Sequence, residues 1–205
     1  MPSPHLADYV ARFAHSTLAD SATLLPWELT AHAAEVVMRL LATTDTAYEI
    51  AGDIARHPSA RIERGAVVKG PAVIGPRCLV ATGAYLRGGV WLEEDCVVGP
   101  HAEVKASFLF RAARLAHLNF VGDSILGEDV NLEAGAVIAN RRNERADPRI
   151  RIHVGQHVID TGVETFGALV GDGCRIGANA VVAPGALLAP GSIVPRLGSI
   201  DQGGP

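Results

Sequence analysis

The feature that most constrains this chain is a six-residue period running from Ile62 to Phe110 without a miss. Aliphatic or aromatic residues stand at Ile62, Val68, Ile74, Val80, Leu86, Leu92, Val98, Val104 and Phe110. Four places after each of the first eight comes a mostly small residue: Ala66, Ala72, Cys78, Ala84, Val90, Cys96, Ala102 and Phe108. A second run keeps the rule at Val170, Ile176, Val182, Leu188 and Val194. Such a repeat is the signature of a β-solenoid in which each hexad supplies one short strand and one turn. Three hexads close a triangular coil, so residues eighteen apart stack on neighbouring coils at about 4.8 Å. Cys78 and Cys96 obey that offset and are expected to be stacked interior thiols.

Residues 3 to about 52 read differently. Leu6, Tyr9, Val10 and Phe13, and again Leu29, Ala33, Val36, Val37, Leu40 and Leu41, recur at helical spacing. Pro26 suits a helix start, where its missing N–H costs nothing. The expected organisation is a helical cap over residues 1–57 and a solenoid over 58–200, with a charged loop inserted at about 141–165. Because a solenoid has open ends, the helices are expected to protect a terminal coil. A net charge of −4 without a basic block argues against nucleic acid or an anionic membrane as partner. The N-terminus lacks the basic and apolar regions of a secretory signal, and no apolar run is long enough to span a bilayer. A soluble cytoplasmic protein is the expectation.

The hexads fail within "RLAHLNFVGD", residues 114–123. The register continues from Phe110 to Ala116, then Val121 and Leu126 each follow after five residues, which places a slip at His117 and Asn119. A slip in a solenoid re-aims side chains as a bulge does in a sheet, and it is expected to turn His117 outward into a cleft.

The ordered series Leu86-Arg-Gly-Gly89, Glu103-Val-Lys105, Ala116-His-Leu-Asn-Phe-Val-Gly-Asp123, Asp129-Val-Asn-Leu-Glu-Ala-Gly135 and Val137-Ile-Ala-Asn140 resembles a known pattern. It is similar to the acetyltransferase domain of N-acetylglucosamine-1-phosphate uridyltransferases, and closer to that of archaeal sugar-1-phosphate nucleotidyltransferases. Both belong to the hexapeptide-repeat acyltransferases. Phe166-Gly-Ala-Leu-Val-Gly-Asp172 and Ile176-Gly-Ala-Asn179 match that group as well. The resemblance implies a mainly β fold, a left-handed parallel β-helix, and a homotrimer with sites in the clefts between subunits. It implies His117 as catalytic base, with Arg87, Lys105, Phe120 and Asn131 at the acceptor. It assigns Asn140, Ala178 and Arg196 to acetyl-coenzyme A, the cosubstrate. The residue types suit the chemistry: an imidazole can take the proton an attacking amine must lose, and Arg and Lys suit a phosphate.

The implied activity is acetyl-coenzyme A-dependent N-acetyl transfer to an amino-sugar phosphate or a nucleotide-linked amino sugar. Without a glycine-rich nucleotide loop, nucleotidyl transfer is not expected. Three departures from the pattern bear on the acceptor: Phe120 in place of tyrosine, Glu133 in place of glycine, and Arg141 after Asn140. In the inserted loop, either Arg149 or Arg151 reaches an anionic substrate, or the segment is a solvated excursion carrying a small hairpin. His153 and His157 lack a third ligand at fitting spacing, so no metal site is expected. Two other readings stay open. One is a non-catalytic sugar-binding or assembly module, favoured if the motif residues scatter over different faces. The other is a γ-type carbonic anhydrase, which needs a third histidine beside His101 and His117.

Overall fold

Parallel pairing between short strands organises the computed structural model of this chain, in which residues 4–203 are described. The expected helical start at Ser3 lies outside them. Each coil of the solenoid places one short strand on each of three faces, and seven strands stack on each face. The first face comprises Ile54–Arg56, Ala72–Ile74, the ends of Tyr85–Leu92 and Glu103–Leu109, Ile125–Leu126, Ala168–Val170 and Ala186–Leu188. The second runs from Arg61–Ile62 through Leu79–Val80, Val97–Val98, Arg114–Leu115, Asn131–Leu132 and Arg175–Ile176 to Ile193–Val194. The third comprises Val67–Val68, the starts of Tyr85–Leu92 and Glu103–Leu109, Phe120–Gly122, Val137–Ile138, Val181–Val182 and Ser199–Ile200. The expected β-helix is therefore the fold.

The hexad residues fill its interior. Ile74, Val80, Leu86, Leu92, Val98 and Val104 are fully buried in one cluster with Val170, Ile176 and Val182. Small residues stand at the inward corners because neighbouring coils leave no room for more. Cys78, Cys96 and Cys174 occupy such positions as free thiols, and burial pushes the Cys96 thiol well up.

The register departs from expectation in one respect. Leu109 and Leu115 point inward, not Phe110 and Ala116. Leu79 pairs with Val97, eighteen residues on, but Val97 pairs with Arg114 and Arg114 with Asn131, each seventeen on. One residue is missing from each of two coils, and both losses fall where the third face turns into the first. There Arg87 pairs with Lys105 but Val90 with Ser107, and the tight corners hold Ala106 and Asp123 at positive φ. His117 therefore lies in a regular turn. Inward Ser107 and Ser124 complete the shortened corners, since Ser107 Oγ accepts from the Ser124 N–H at 3.0 Å and Ser124 Oγ from the Ala168 N–H at 3.1 Å. Backbone donors that the missing residue would have left orphaned are thereby satisfied.

Phe110 is buried on the other side of its strand, in a second core under the N-terminal helices. Those helices, α1 (Leu6–Tyr9), α2 (Pro26–Ala31) and α3 (Ala33–Ala42), lie along the first face rather than over a terminal coil. The outward residues Val73, Trp91, Phe108, Ile125, Leu169 and Leu187 need cover, and the helical stripe Leu6, Val10, Phe13, Leu29, Val36 and Val37 supplies it. Phe110 sits in ring contact with Phe13 at 5.9 Å and Trp91 at 5.1 Å. Burying these outward apolar residues is what holds the layer against the first face. The edge strands of this face are closed by other devices. Glu49–Ala51 pairs antiparallel with Ile54–Arg56 at one end. At the other, the Gln202 amide both accepts from and donates to the Leu187 backbone, imitating a strand.

The inserted loop leaves after Asn140 at the corner already shortened twice, and rejoins at Phe166. It carries an antiparallel hairpin, Arg151–Val154 with His157–Asp160, whose Ile150 and Ile152 are buried in the helical-layer core. Buried Arg142 ties its base to the C-terminal tail through Asp201, at 2.6 Å and 2.7 Å.

Two outcomes follow. Phe110→Ala, which empties the joint between helices and solenoid, costs about 3–5 kcal/mol in urea unfolding. The Arg142 guanidinium holds the Asp201 carboxyl at about 2 against an ordinary 3.8. Its depressed pKa contributes stability that is whole above about pH 4 and lost as pH falls through about 2. Asp201→Asn lacks this component, so its stability difference from the unaltered protein narrows over that window in acid titrations.

Candidate active site

Because coils stack in register, chemistry-bearing residues fall into columns running along the solenoid. One column lines the corner between the third and first faces. Arg87 and Lys105 are register partners, and Lys105 pairs in turn with Gly122, just before Asp123. Lys105 Nζ donates to Asp123 Oδ2 at 2.6 Å, and Asn140 Nδ2 donates to the same oxygen. Asp123 is 4% exposed, so its charge is held by these two donors rather than by water. Arg87 is ion-paired to Glu103 at 2.6 Å through Nη2. At Gly122 a Cβ would lie 2.8 Å from both the Asn140 side chain and the tip of the Phe120 ring, so a larger residue would push one of them aside. Arg87, Lys105, Phe120 and Asn140 are thus brought to one edge of the third face.

His117 occupies the opposite edge, at the corner between the second and third faces. It is exposed, and its imidazole makes no hydrogen bond or ion pair among the described residues. Its turn is nonetheless fixed. Leu118, at φ +56°, donates its N–H to the Pro100 carbonyl at 3.0 Å, and the His117 carbonyl accepts from the Gly135 N–H at 3.0 Å. Asn119 is the inward corner residue, and its Nδ2 donates to the Glu133 and Ala136 carbonyls of the next coil at 2.8 Å and 3.1 Å. Its Oδ1 is buried with no partner among the described residues. Asn119 therefore locks the His117 turn to its neighbour and points away from solvent.

Ala178 and Arg196 lie along the His117 edge, two and three coils further on, joined by Glu133. The Glu133 carboxylate accepts from Arg196 at 2.7 Å and 2.8 Å and from the Ala178 N–H at 2.9 Å. These donors, Arg196 foremost, bring its pKa down to about 2. The negative charge that stood out in the sequence is neutralised as a strut at this edge. Beside it, a cavity of about 270 Å³ is lined by Asn131, Glu133, Arg175, Ile193 and Arg196 among others.

The structure does not unite the expected site within one chain. Lys105 and Gly122 are partners, and His117 precedes Gly122 by five residues across the Leu118–Asn119 corner, which places it at the other edge of the third face from the Lys105 column. Asn131 faces outward on the second face between Arg114 and Arg175, away from Arg87 and Lys105. Arg149 pairs with Asp147 and Asp160, and Arg151 with Asp147, which engages both arginines inside the hairpin segment. A cavity of about 390 Å³ between α3 and the first face, lined by Tyr48, Trp91 and Glu93 among others, includes none of these residues. No group of three metal-ligating side chains is found among the described residues, His101 and His117 included. Sequence reasoning missed Asp123 and Glu103, the carboxylates that orient the two cations. The eighteen-residue offset of the regular coils points from Lys105 to Asp123, although in this shortened coil Gly122 is the register partner and Asp123 the residue after it.

The comparisons with known proteins cover this region. A family model described as the GMPPB C-terminal domain matches residues 50–142. The chain is 32% identical over 137 residues to a bifunctional sugar-1-phosphate nucleotidylyltransferase/acetyltransferase of Sulfurisphaera tokodaii, covering 67% of this chain and 34% of that protein. It is 40% identical over 113 residues to the bifunctional protein GlmU of Leifsonia xyli subsp. xyli, covering 54% and 23%. The chain thus spans about a third or less of these relatives. Among solved structures, the acetyltransferase domain of PglB from Neisseria gonorrhoeae is matched at 14% identity with a TM-score of 0.36, over 88% of this chain and 74% of that one. Over this stretch the chain is similar to these bifunctional sugar-phosphate proteins, and its structure is a β-helix of hexapeptide repeats. Among the described residues, no helix is long and apolar enough to cross a membrane.

Lys105→Met leaves the Asp123 carboxylate buried without its cation. It is expected to cost about 2–3 kcal/mol in denaturant unfolding, less than a fully enclosed pair because Lys105 is partly exposed.

Proposed function

We propose that this protein is an acetyl-coenzyme A-dependent N-acetyltransferase acting on an amino-sugar phosphate or a nucleotide-linked amino sugar. The observation that carries the reading is the pair of half-sites on one β-helix: a cation column at one edge of the third face and an exposed histidine at the other. The relatives' sugar-1-phosphate and acetyltransferase names support the same chemistry. In this reading the site forms between copies of the chain, one supplying His117 and the other Arg87, Lys105 and Asn140. Leu118 and Leu197, 62% and 80% exposed along the His117 edge, suit that edge to packing against a second copy. A homotrimer about an axis parallel to the solenoid would keep both half-sites at matching heights.

The chemistry then assigns itself. The phosphate of the acceptor lies against Arg87 and Lys105, Arg by a forked contact and Lys as a point charge. Asp123 keeps Lys105 and Asn140 in place. His117 Nε2 or Nδ1 takes a proton from the neutral amine of the acceptor as its nitrogen attacks the thioester carbon. The C–N bond forms, the C–S bond breaks, and the coenzyme A thiolate leaves with the proton returned by the imidazolium. Asn140, Ala178 and Arg196 hold acetyl-coenzyme A beyond the fourth coil. Arg149 and Arg151 belong to this reading only if the acceptor displaces Asp147.

The scattering of motif residues over faces favours one rival, a sugar-binding module in which His117 does no chemistry. His117→Ala separates the two. Acetyl transfer requires that thiol release from acetyl-coenzyme A, across a panel of amino sugars, their 1-phosphates and nucleotide derivatives, fall about 10²–10⁴-fold. No release by the unaltered protein on any acceptor, or undiminished release by the variant, sinks the enzyme. Co-expressed His117→Ala and Lys105→Ala chains should regain part of the activity that each lacks alone, because mixed interfaces unite two intact halves.

A further inference from the structure

The cation column does not end at Arg87. Lys69, eighteen residues before Arg87, follows Val67 and Val68, which pair with Tyr85 and Leu86, and its N–H donates to the Leu86 carbonyl at 2.8 Å. Lys69, Arg87 and Lys105 therefore occupy the same corner in three consecutive coils. Two rungs, about 10 Å of sheet, separate the first from the third. Tyr85 keeps the spacing: its ring centroid lies 5.3 Å from Lys69 Nζ and 5.8 Å from Arg87 Cζ. Arg87 and Lys105 have carboxylate partners in Glu103 and Asp123, whereas Lys69 is exposed and has none among the described residues. The column thus offers a third cation one rung beyond Arg87, with the Asp53 carboxylate lying against the neighbouring Gly70.

We propose that Lys69, Arg87 and Lys105 form a two-phosphate clamp, and that the acceptor is a nucleoside-diphosphate-linked amino sugar rather than a sugar monophosphate. This rests on the acetyl-transfer reading for the identity of the sugar, but not for the clamp itself. The axial order fits. His117 belongs to the fourth coil, Lys105 to the third, Arg87 to the second and Lys69 to the first. An amine held at the height of His117 sends its first phosphate to Lys105 and Arg87, its second to Arg87 and Lys69, and its nucleoside toward the N-terminal end. Acetyl-coenzyme A then has the opposite end, beside Asn140 and Arg196, to itself.

The test is calorimetric binding of inorganic pyrophosphate and of orthophosphate to the full chain, to Lys69→Ala, to Lys69→Arg, and to Arg39→Ala as an equal charge loss on α3. Pyrophosphate is expected to bind the unaltered protein about tenfold more tightly than orthophosphate. Lys69→Ala should remove most of that preference, while Lys69→Arg and Arg39→Ala keep it. Equal binding of the two anions, or loss of both in the same proportion in Lys69→Ala, overturns the clamp. Thiol release is measured alongside on an amino-sugar 1-phosphate and its nucleoside-diphosphate counterpart. A surviving pyrophosphate preference without release on either acceptor refutes acetyl transfer and leaves the clamp. Equal kcat/KM on both acceptors, unaltered by Lys69→Ala, refutes the clamp and leaves acetyl transfer.

Discussion

Every coil of this protein hands its backbone donors and acceptors to the next, and that in-register stacking governs the rest of the structure. A strand of two or three residues has no stability alone; it persists because a parallel neighbour satisfies it on each side. The same stacking dictates what each position can hold. Inward residues must be aliphatic, inward corner residues small, and outward residues form rows whose members lie one rung apart. A functional column such as Arg87, Lys105 and Asp123 is therefore a consequence of the backbone, positioned without any loop having to be folded for the purpose.

The departures from regularity collect at one corner. Two coils lose a residue there, at Ala106 and Asp123, and the next admits the whole inserted segment between Asn140 and Phe166. Ser107 and Ser124 make the shortened corners possible by supplying hydroxyls where backbone partners are displaced. The outcome is a buried carboxylate, Asp123, beside the cation and amide it orients.

Lateral packing then decides which surfaces remain available. The helical layer and the inserted hairpin together bury the outward residues of the first face. The second and third faces stay open, and His117 and the cation column lie along the two edges of the third. In a single chain these two groups stand at opposite edges of that face. In the proposed acetyl transfer, a site formed between copies of the chain unites groups that scatter over one subunit.

The six-residue period by itself determined the solenoid, its interior residues and the stacking offset, because these follow from local chain geometry repeated many times. It also placed Lys105 one coil above Arg87. It did not determine the true register around Phe108-Leu109-Phe110, where three successive apolar residues fit the pattern in either frame. That ambiguity has a cause: the helices cover this face, so both sides of the strand are buried and alternation disappears. For the same reason the sequence pointed to an end cap where the structure has a lateral layer, since an apolar helical stripe says that it must be covered but not by what. Asn119 shows the other limit. Its place beside His117 gave it no role in the sequence, and only the fold shows it turned inward to brace the turn, because orientation in a solenoid is set by the count of residues since the last corner.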